Sequence, residues 1–298
     1  MKDIIVIGAG TAGLTAAIYG IRAGKTVLIL ESYSYGGQIV NATEVENYPG
    51  IMNVSGFDFA TRLYEQASAL GAEISLEKVI SVKDMGTEKL VITEENEYKC
   101  QNVIIATGAK NRPLGLEREK ELVGKGVSYC ATCDGAFFRE KDVAVVGGGN
   151  TALEDALFLS GYCNKVYLIH RRDSFRGEEY LVDKLSQKEN VEFLINSRVT
   201  DLKGDDRLEE ITVENVATKE KINIKLEGLF IAIGQMPDNE AFKSVVELDD
   251  KGYIVSGEDC TTKTKGVYVA GDCRTKEIRQ LATAAADGAV AGIKAGGN

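Results

Sequence analysis

One sequence pattern occurs twice in this chain of 298 residues, at a constant separation. Residues 4–13 read IIVIGAGTAG and residues 143–152 read VAVVGGGNTA, so the two copies lie 139 residues apart. Each copy predicts a buried strand of β-branched residues, a glycine turn and an alanine-rich helix. The positions that carry the pattern are Gly8, Gly10 and Gly13 in the first copy, and Gly147, Gly149 and Ala152 in the second. Two such units in register predict a doubly wound α/β fold that binds two dinucleotides.

The strand that follows each glycine turn ends in a different kind of side chain. TVLILE ends in Glu31, and a carboxylate there accepts hydrogen bonds from a ribose 2′-hydroxyl but repels a 2′-phosphate. We therefore expect FAD or NAD at the first site. VYLIH ends in His170, and Arg171, Arg172 and Arg176 complete a basic cluster. Guanidinium groups bind a 2′-phosphate through forked hydrogen bonds, so we expect NADPH at the second site, with a solvated basic turn as the alternative.

A CxxC pair, Cys130 and Cys133, lies just ahead of the second copy and is followed by Asp134. Such a pair can form a redox disulfide or supply half of a structural zinc site. Zinc needs two further ligands, and the other four cysteines are isolated, at positions 100, 163, 260 and 273. We therefore favour redox chemistry without a metal. Asp134 is predicted to donate and accept the protons of thiol chemistry, with a helix cap as the alternative.

The rest of the chain predicts the elements around these motifs. Strands are expected at 102–109, 226–234 and 266–272, antiparallel β structure at 73–99, and a closing helix at 281–293. Asp272 ends the third of these strands, where its carboxylate can accept hydrogen bonds from a sugar-alcohol chain or cap a helix. The closing helix begins near Arg279, and its N-terminal dipole favours negative charge on the pyrimidine edge of a reduced flavin.

Composition narrows the function classes. Lys and Arg number 35 and Asp and Glu 45, so the formal charge of −10 argues against general nucleic-acid or membrane-surface binding. A hydrophobic content of 44% and a charged content of 27% are typical of a globular enzyme and exclude disorder. Residues 4–21 approach the length of a membrane span, but their glycines favour a strand, a turn and a helix. Six cysteines are too few for a disulfide scaffold and indicate a reducing, intracellular setting.

Taken in order, these motifs resemble those of the low-molecular-weight, flavin-dependent thioredoxin reductases. The matching segments are GAGTAG with Glu31, GGQ (36–38), EVENYPG (44–50), ATGA (106–109), CATCD (130–134), GGGNTALEDA (147–156), HRRDSFR (170–176), GDC (271–273) and RQLATAAADG (279–288). The resemblance implies two Rossmann-like domains, with an NADPH-binding domain inserted into a discontinuous FAD-binding domain. The expected limits are 1–113 and 243–298 for the FAD domain and 114–242 for the NADPH domain, which carries the CxxC pair.

The resemblance also implies a role for each matching residue. Near the flavin it places Gly36, Gly37, Gln38, Asn47, Asp272, Arg279, Gln280 and Ala282. At the NADPH it places Asn150, Thr151, Glu154, His170 and the three arginines, with Glu154 near the nicotinamide. It implies that Cys133 is the thiol nearer the flavin and that Cys130 attacks thioredoxin. The family it implies is homodimeric and cytoplasmic.

The nicotinamide and the disulfide must both reach one flavin ring. Either one rigid arrangement presents the two faces of the ring to the two groups, or the inserted domain moves. The resemblance favours rotation of the inserted domain about linkers near 112–116 and 236–242. Two alternatives have the same fold. A ferredoxin- or flavodoxin–NADP reductase transfers single electrons and does not need a dithiol. The flavoprotein subunit of a peroxide-reducing system is expected to carry a thioredoxin-like domain ahead of the first strand, which begins here near residue 4.

Overall fold

The structure is a computed structural model that describes residues 1–42 and 44–297. It divides into two compact units, Met1–Lys110 with Met236–Asn298, and Asn111–Gln235, which we call the first and the second unit. The domain limits expected at residues 113 and 242 lie slightly further along the chain than these boundaries. The second boundary differs because Ala241 and Phe242 pack into the core of the first unit, beside Val82.

In the order of the chain, the second unit is inserted between two segments of the first unit. The first unit contains β1 (Lys2–Ile7), α1 (Thr11–Arg22), β2 (Val27–Glu31), α2 (Gly56–Ala69), β3 (Glu73–Leu76), β4 (Val79–Asp84), β5 (Lys89–Thr93), β6 (Glu97–Ile105) and, leading out, β7 (Ala109–Asn111). The second unit contains α3 (Glu119–Leu122), β8 (Val127–Ser128), α4 (Ala131–Asp134), β9 (Asp142–Gly147), α5 (Asn150–Leu159), β10 (Lys165–Ile169), α6 (Glu179–Ser186), β11 (Val191–Leu194), β12 (Ser197–Lys203), β13 (Glu210–Asn215), β14 (Lys221–Lys225), β15 (Gly228–Ala232) and, leading back, β16 (Gln235–Pro237). The first unit ends with β17 (Val267–Val269) and α7 (Leu281–Ala295).

The sheet of the first unit has the strand order β3–β2–β1–β6–β5–β4, with β17 paired to β6. β1 is buried on both faces: Ile4 and Val6 join one core cluster, and Ile5 and Ile7 join another. This alternation follows from the two-residue period of a strand. The antiparallel structure predicted at 73–99 is confirmed for β4, β5 and the start of β6. It is wrong for β3, which pairs parallel with β2 because the chain returns through helix α2.

The second unit is built on a parallel sheet with the order β11–β10–β9–β15–β8. An antiparallel sheet, β12–β13–β14, completes this unit, and the connecting strands β7 and β16 pair with each other. The repeated motif is therefore confirmed as β1–α1–β2 and β9–α5–β10, two Rossmann-like units of a mixed α/β fold. Residues 4–21 form β1 and most of α1, and no helix within the described ranges is long and apolar enough to cross a membrane.

A buried carboxylate joins the loop after β3 to the neighbouring hairpin. Glu77 accepts hydrogen bonds from Ser75 Oγ at 2.8 Å, Thr93 Oγ1 at 2.7 Å, Asn96 Nδ2 at 3.1 Å and the Tyr98 hydroxyl. These bonds, with those from Tyr98 and Thr93 the strongest, outweigh burial and lower the pKa of Glu77 to about 2. The ionised carboxylate thus stabilises the folded state.

Replacing this carboxylate should change how stability depends on pH. Its folded pKa lies below its ordinary value, so its contribution is complete above about pH 4.5 and is lost as the pH falls towards 2. Glu77→Gln should lower the free energy of unfolding at pH 7 by about 1–3 kcal/mol and flatten its decline in that acid window. Urea unfolding at several pH values measures both effects. Glu97→Gln, an exposed carboxylate on β6, is the matched control, and equal profiles for the two variants would contradict the assignment.

Candidate functional site

The first glycine turn brings α1 into close contact with the end of β1. Gly8 has φ +107°, and a Cβ on it would lie 2.4 Å from the carbonyl oxygen of Ala106. A Cβ on Gly13 would lie 1.9 Å from the carbonyl oxygen of Gly8. Gly10 is the N-cap of α1, so the first N–H groups of the helix face the turn without a side-chain partner. This is the local geometry that binds a diphosphate.

Glu31 ends β2 beside this turn, as the sequence predicts. Its Oε2 accepts the N–H of Ala9 at 2.8 Å, and its Oε1 accepts the N–H of Tyr33 at 3.0 Å. The side chain is half-buried. A carboxylate has about four lone-pair sites, so acceptor capacity remains for a ribose hydroxyl.

The segment after β2 returns to the same turn. The N–H of Gly36 donates to the carbonyl oxygen of Ala9 at 2.8 Å, and both Gly36 and Gly37 have positive φ, +96° and +70°. A Cβ on Gly36 would lie 2.5 Å from Val40 Cγ1, so only glycine fits there. Gln38 Nε2 donates to the carbonyl oxygen of Ala109, at the start of β7.

Asp272 lies in a short 3₁₀ helix, Gly271–Cys273, between β17 and α7. Its Oδ1 is buried and has no hydrogen-bond partner among the described residues, and burial raises the pKa of its carboxyl. A buried acceptor without a donor costs about 1–3 kcal/mol, and a ligand hydroxyl can supply that donor. The orphaned oxygen therefore fits the sugar-alcohol contact that the sequence predicts for this residue.

The other predicted flavin residues lie around the start of α7. Arg279 Nε donates to the carbonyl oxygen of Asp272 at 3.3 Å, and its guanidinium lies 4.2 Å from the centre of the Tyr253 ring. Gln280 is the N-cap of α7, and Ala282 is exposed in the first turn. Asn47 Nδ2 lies 3.4 Å from Gln280 Oε1, which brings the segment 44–50 to this helix end.

A buried ionic cluster that sequence analysis did not predict lies close to Asp272 in the chain. Arg274, only 1% exposed, donates from Nε and Nη2 to the two carboxylate oxygens of Asp287, each at 2.9 Å. Lys276 Nζ and the N–H of Gly271 donate to Oδ2 of the same carboxylate. Burial opposes ionisation, but the bonds from Arg274 and Lys276 lower the pKa of Asp287. The sequence feature that could have indicated this cluster is the acidic residue Asp287, which lies in α7, a helix made mostly of apolar and small residues.

The second glycine turn repeats the close approach of the first. A Cβ on Gly147 would lie 2.4 Å from the carbonyl oxygen of Ala232 and 2.5 Å from the Cβ of Ala152, which is fully buried. Gly149 is the N-cap of α5. Asn150 bonds Glu178 twice, through its Oδ1 to the N–H at 2.9 Å and through its Nδ2 to Oε1 at 3.1 Å. Thr151 and Glu154 are exposed on the first turns of this helix.

His170 lies beneath this turn, at the end of β10, and is 5% exposed. A Cβ on Gly148 would lie 2.2 Å from its Cε1, and its ring stacks on Phe175 with 5.4 Å between centroids. Burial, and then the charge of Arg176 and its neighbours, lowers the pKa of His170, so the imidazole is neutral near pH 7. Its Nε2 is buried without a partner in the described part of the chain. The positive charge of the predicted basic cluster therefore comes from its arginines.

Arg171, Arg172 and Arg176 are exposed and form no ion pair with a described carboxylate. The N–H of Arg176 donates to the carbonyl oxygen of Gly148 at 2.7 Å, which ties this loop to the glycine turn. Guanidinium groups beside a dinucleotide turn fit a 2′-phosphate.

Cys130 and Cys133 form a disulfide, with 5.3 Å between their Cα atoms, at the start of α4. Within residues 1–42 and 44–297 no cluster of His, Cys, Asp or Glu could hold a metal ion. The other four cysteines are buried free thiols. Burial raises their pKa values, to about 12 for Cys100 and Cys260 and about 11 for Cys163 and Cys273. The thiolate is the reactive form of cysteine, so redox reactivity is concentrated at the disulfide.

Two buried polar groups that the sequence did not indicate bond the residues on either side of Cys130 and Cys133. Ser128 Oγ donates to Asp134 Oδ2 at 2.6 Å. Burial raises the pKa of Asp134, and the bond from Ser128 partly lowers it. Glu119, 2% exposed, accepts the Tyr129 hydroxyl at 2.6 Å and backbone N–H groups of residues 114–116. Serine and glutamate are common residues, so only their partners reveal these roles.

Two dinucleotide-type turns with a CxxC disulfide define an oxidoreductase that exchanges electrons between dinucleotides and thiols. The sequence matches the family described as pyridine nucleotide-disulphide oxidoreductase over residues 2–288. A thioredoxin reductase from Peptoclostridium acidaminophilum is 42% identical over 98% of this chain and 95% of its own length. The crystal structure of thioredoxin reductase from Streptococcus pyogenes has a TM-score of 0.94 and 39% identity, covering 99% of this chain and 97% of the other. Lactococcus lactis thioredoxin reductase in its FR conformation has a TM-score of 0.69 and 38% identity, covering 99% and 98%.

The chain therefore belongs to the pyridine nucleotide-disulphide oxidoreductases. The relative and the two structural neighbours named above are thioredoxin reductases. The cofactors of that class of enzyme are FAD and NADPH.

The contact between His170 and Gly148 gives a test of the second site that needs no ligand. Gly148→Ala should lower the free energy of unfolding by about 1–3 kcal/mol, because the new methyl group overlaps a buried ring. The second substitution His170→Ala in that background should recover part of the loss. Gly149→Ala is the matched control, since no atom lies within 4 Å of its Cβ position. Denaturant unfolding in a double-mutant cycle measures the coupling, and purely additive losses would contradict the contact.

Proposed function

We propose that this chain reduces the disulfide of thioredoxin, or of a thioredoxin-like protein, with electrons from NADPH. The observation that carries the proposal is the Cys130–Cys133 disulfide in a unit that also carries a glycine turn and an arginine loop. The sequence match to thioredoxin reductases over nearly the whole chain supports it.

FAD is proposed to bind the first unit. The N–H groups at the start of α1 would hold its diphosphate, and Glu31 would hold its ribose. Asp272 would accept a hydroxyl of its sugar-alcohol chain with the orphaned Oδ1. The remaining residues proposed to hold it are Gly36, Gly37, Gln38, Asn47, Arg279, Gln280 and Ala282. When bound, FAD supplies two-electron chemistry between a nicotinamide and a disulfide.

NADPH is proposed to bind the second unit. The turn at Gly147 and Gly149 would hold the diphosphate at the start of α5, with Asn150, Thr151 and Ala152 in its first turn. Arg171, Arg172 and Arg176 would bind the 2′-phosphate, above the neutral His170. Glu154, exposed on the same helix, is proposed to lie near the nicotinamide.

The thiol chemistry is assigned to three adjacent residues. In the reduced enzyme the Cys130 thiolate attacks one sulfur of the partner disulfide, and a mixed disulfide forms while a partner thiolate leaves. Asp134 gives its proton to that thiolate. Cys133 then attacks Cys130, which restores the Cys130–Cys133 disulfide and releases the second thiol of the partner.

Rotation of the second unit between half-reactions is part of the proposal. The disulfide has to accept electrons and then meet a protein substrate, and the connecting segments 112–116 and 236–242 are the places to absorb the movement. The Lactococcus lactis thioredoxin reductase structure, which is named for its FR conformation, supports the view that such enzymes adopt more than one conformation.

The setting of the enzyme is proposed from its chemistry. Four buried free thiols and one exchangeable disulfide suit a reducing cytoplasm, and the net charge of −10 does not favour nucleic acid or an anionic membrane as a partner. Like the family that its motifs resemble, the chain is proposed to act as a homodimer.

Removing one sulfur of the pair tests the electron path. With FAD bound and oxygen excluded, Cys133→Ser should still allow NADPH to bleach the flavin but should abolish NADPH-dependent reduction of oxidised thioredoxin. Absorbance of the flavin and titration of new thiols measure the two steps. Cys163→Ser, which changes a buried thiol of the same unit, should retain both. Reduction of thioredoxin at the normal rate by Cys133→Ser would overturn the assignment.

The arginine loop should set the choice between NADPH and NADH. Arg171→Ala combined with Arg172→Ala should raise KM for NADPH by at least about 100-fold with little change in kcat, because each of the two charged bonds to phosphate contributes about 1.5–3 kcal/mol. KM for NADH should hardly change. Arg207→Ala, an exposed arginine of the same unit, is the control. Equal use of NADH and NADPH by the unaltered enzyme would contradict the 2′-phosphate site.

A further inference from the structure

The hydroxyl of Ser128 lies between the proposed acid–base residue and the backbone of the redox pair. It donates to Asp134 Oδ2 at 2.6 Å, and it accepts the N–H of Cys130 at 3.0 Å. The carbonyl oxygen of Cys130 lies 3.3 Å away, within reach as a second acceptor. Ser128 is 3% exposed at the end of β8, so its hydroxyl is withdrawn from bulk water.

We propose that Ser128 is a positioning residue that keeps Asp134 hydrogen-bonded in both of its protonation states and thereby controls its proton exchange. The proposal rests on the function proposed above, in which Asp134 supplies a proton to a leaving thiolate. It assigns to Ser128 no contact with substrate or cofactor.

The hydrogen-bond inventory of a hydroxyl makes both states possible, since it has one donor hydrogen and two acceptor lone pairs. With Asp134 ionised, the Ser128 hydrogen points to Asp134 Oδ2, and a lone pair accepts the N–H of Cys130. With Asp134 protonated, its proton points to Ser128 Oγ, and the Ser128 hydrogen turns to the carbonyl oxygen of Cys130. No polar atom of this network loses its partner in either state, and the only net change is the one proton that Asp134 gains or gives.

This matters because Asp134 is itself largely withdrawn from water. Burial raises the pKa of Asp134, and the Ser128 hydroxyl is the contact that lowers it. If the carboxyl lost its partner in one protonation state, that state would become less stable, and Asp134 would remain in the other state. The hydroxyl thus holds the carboxyl ready to give a proton and to take one back.

Other charged groups near α4 do not account for this balance. α5 packs against α4 and carries Glu154 and Asp155. Arg139 follows α4 in the chain, and the Tyr162 hydroxyl lies 2.2 Å from the position of a Cβ on Gly135. None of them shifts the pKa of Asp134. Asp155 is a second carboxyl with a raised pKa, because burial and the charge of Glu154 raise it to about 7. An experiment on Asp134 must therefore separate it from Asp155.

Alkylation of the reduced FAD-loaded enzyme by iodoacetamide across the pH range tests the proposal without a partner protein. Ionisation of Asp134 should appear as an inflection in the alkylation rate of the Cys130–Cys133 dithiol, distinct from that of the thiols. Asp134→Asn should remove this inflection, and Asp155→Asn should leave it. Ser128→Ala should move it upwards by about one to two pH units, since the ionised carboxyl loses a charged hydrogen bond. Ser128→Thr retains the hydroxyl and should restore the unaltered profile.

Ser197→Ala is the matched control, because it removes another buried serine hydroxyl of the same unit, one that donates to the carbonyl oxygen of Ile195. It should leave the inflection in place. An inflection that is unmoved in Ser128→Ala, or that persists in Asp134→Asn, overturns the proposal. If Ser128→Ala does not fold, Ser128→Val, which has nearly the volume of the Thr variant but no hydroxyl, must shift the inflection in the same direction.

The outcome is separable from that of the proposed function. If the unaltered enzyme does not reduce a recombinant oxidised thioredoxin with NADPH, the proposed function fails, whatever the alkylation shows. If it does, the pH profile of kcat/KM for thioredoxin should carry the same inflection and the same upward shift in Ser128→Ala. A normal profile in that variant would leave the enzyme a thioredoxin reductase and remove the role of Ser128.

Discussion

The close approach of a helix to a strand at each glycine turn is the constraint on which both sites depend. At Gly13 a methyl group would lie 1.9 Å from a carbonyl oxygen of the turn, and at Gly147 it would lie 2.5 Å from the Cβ of Ala152. This contact places the unpaired N–H groups of α1 and α5 beyond the carboxyl ends of parallel strands. Glu31 ends the next strand in the first unit, and His170 follows the corresponding strand in the second unit and leads into the arginine loop. In each unit the residues proposed to select the dinucleotide therefore begin at the same edge of the sheet as the glycine turn.

Some buried polar groups have hydrogen-bond or ion-pair partners within the chain, and others do not. Glu77, Glu119 and the Arg274–Asp287 pair have partners for their charges, as burial requires. In contrast, His170 Nε2 and Asp272 Oδ1 are buried without partners among the described residues. His170 contacts Gly148 of the second glycine turn, and Asp272 follows Gly271, which packs against Ala12 in the first turn of α1. An unpaired atom costs stability, and a bound ligand can recover that cost.

Local patterns predicted much of this arrangement because their physical causes are local. The β-branched runs gave β1 and β9, the glycine spacing gave the turns, and α7 begins at the predicted residue. The orientation of β3 was wrong, because its pairing depends on the route of α2 back to the sheet. The hydrogen-bond partners of Asp287, Glu119 and Asp134 could not be predicted from the sequence. These partners are common residue types, and only folding brings them next to the carboxylates.

The sequence by itself determined the class of fold, the two glycine turns, the CxxC pair, and the positions of the acid and the arginines that we propose distinguish the dinucleotides. Each of these depends on the chemistry of neighbouring residues or on a strand and helix period. Only the tertiary structure decided that His170 is neutral beneath Gly148, that Asp272 keeps an unpaired oxygen, and that Ser128 faces Asp134. Burial and hydrogen-bond partners set the protonation of these groups, and both exist only once distant segments have packed together.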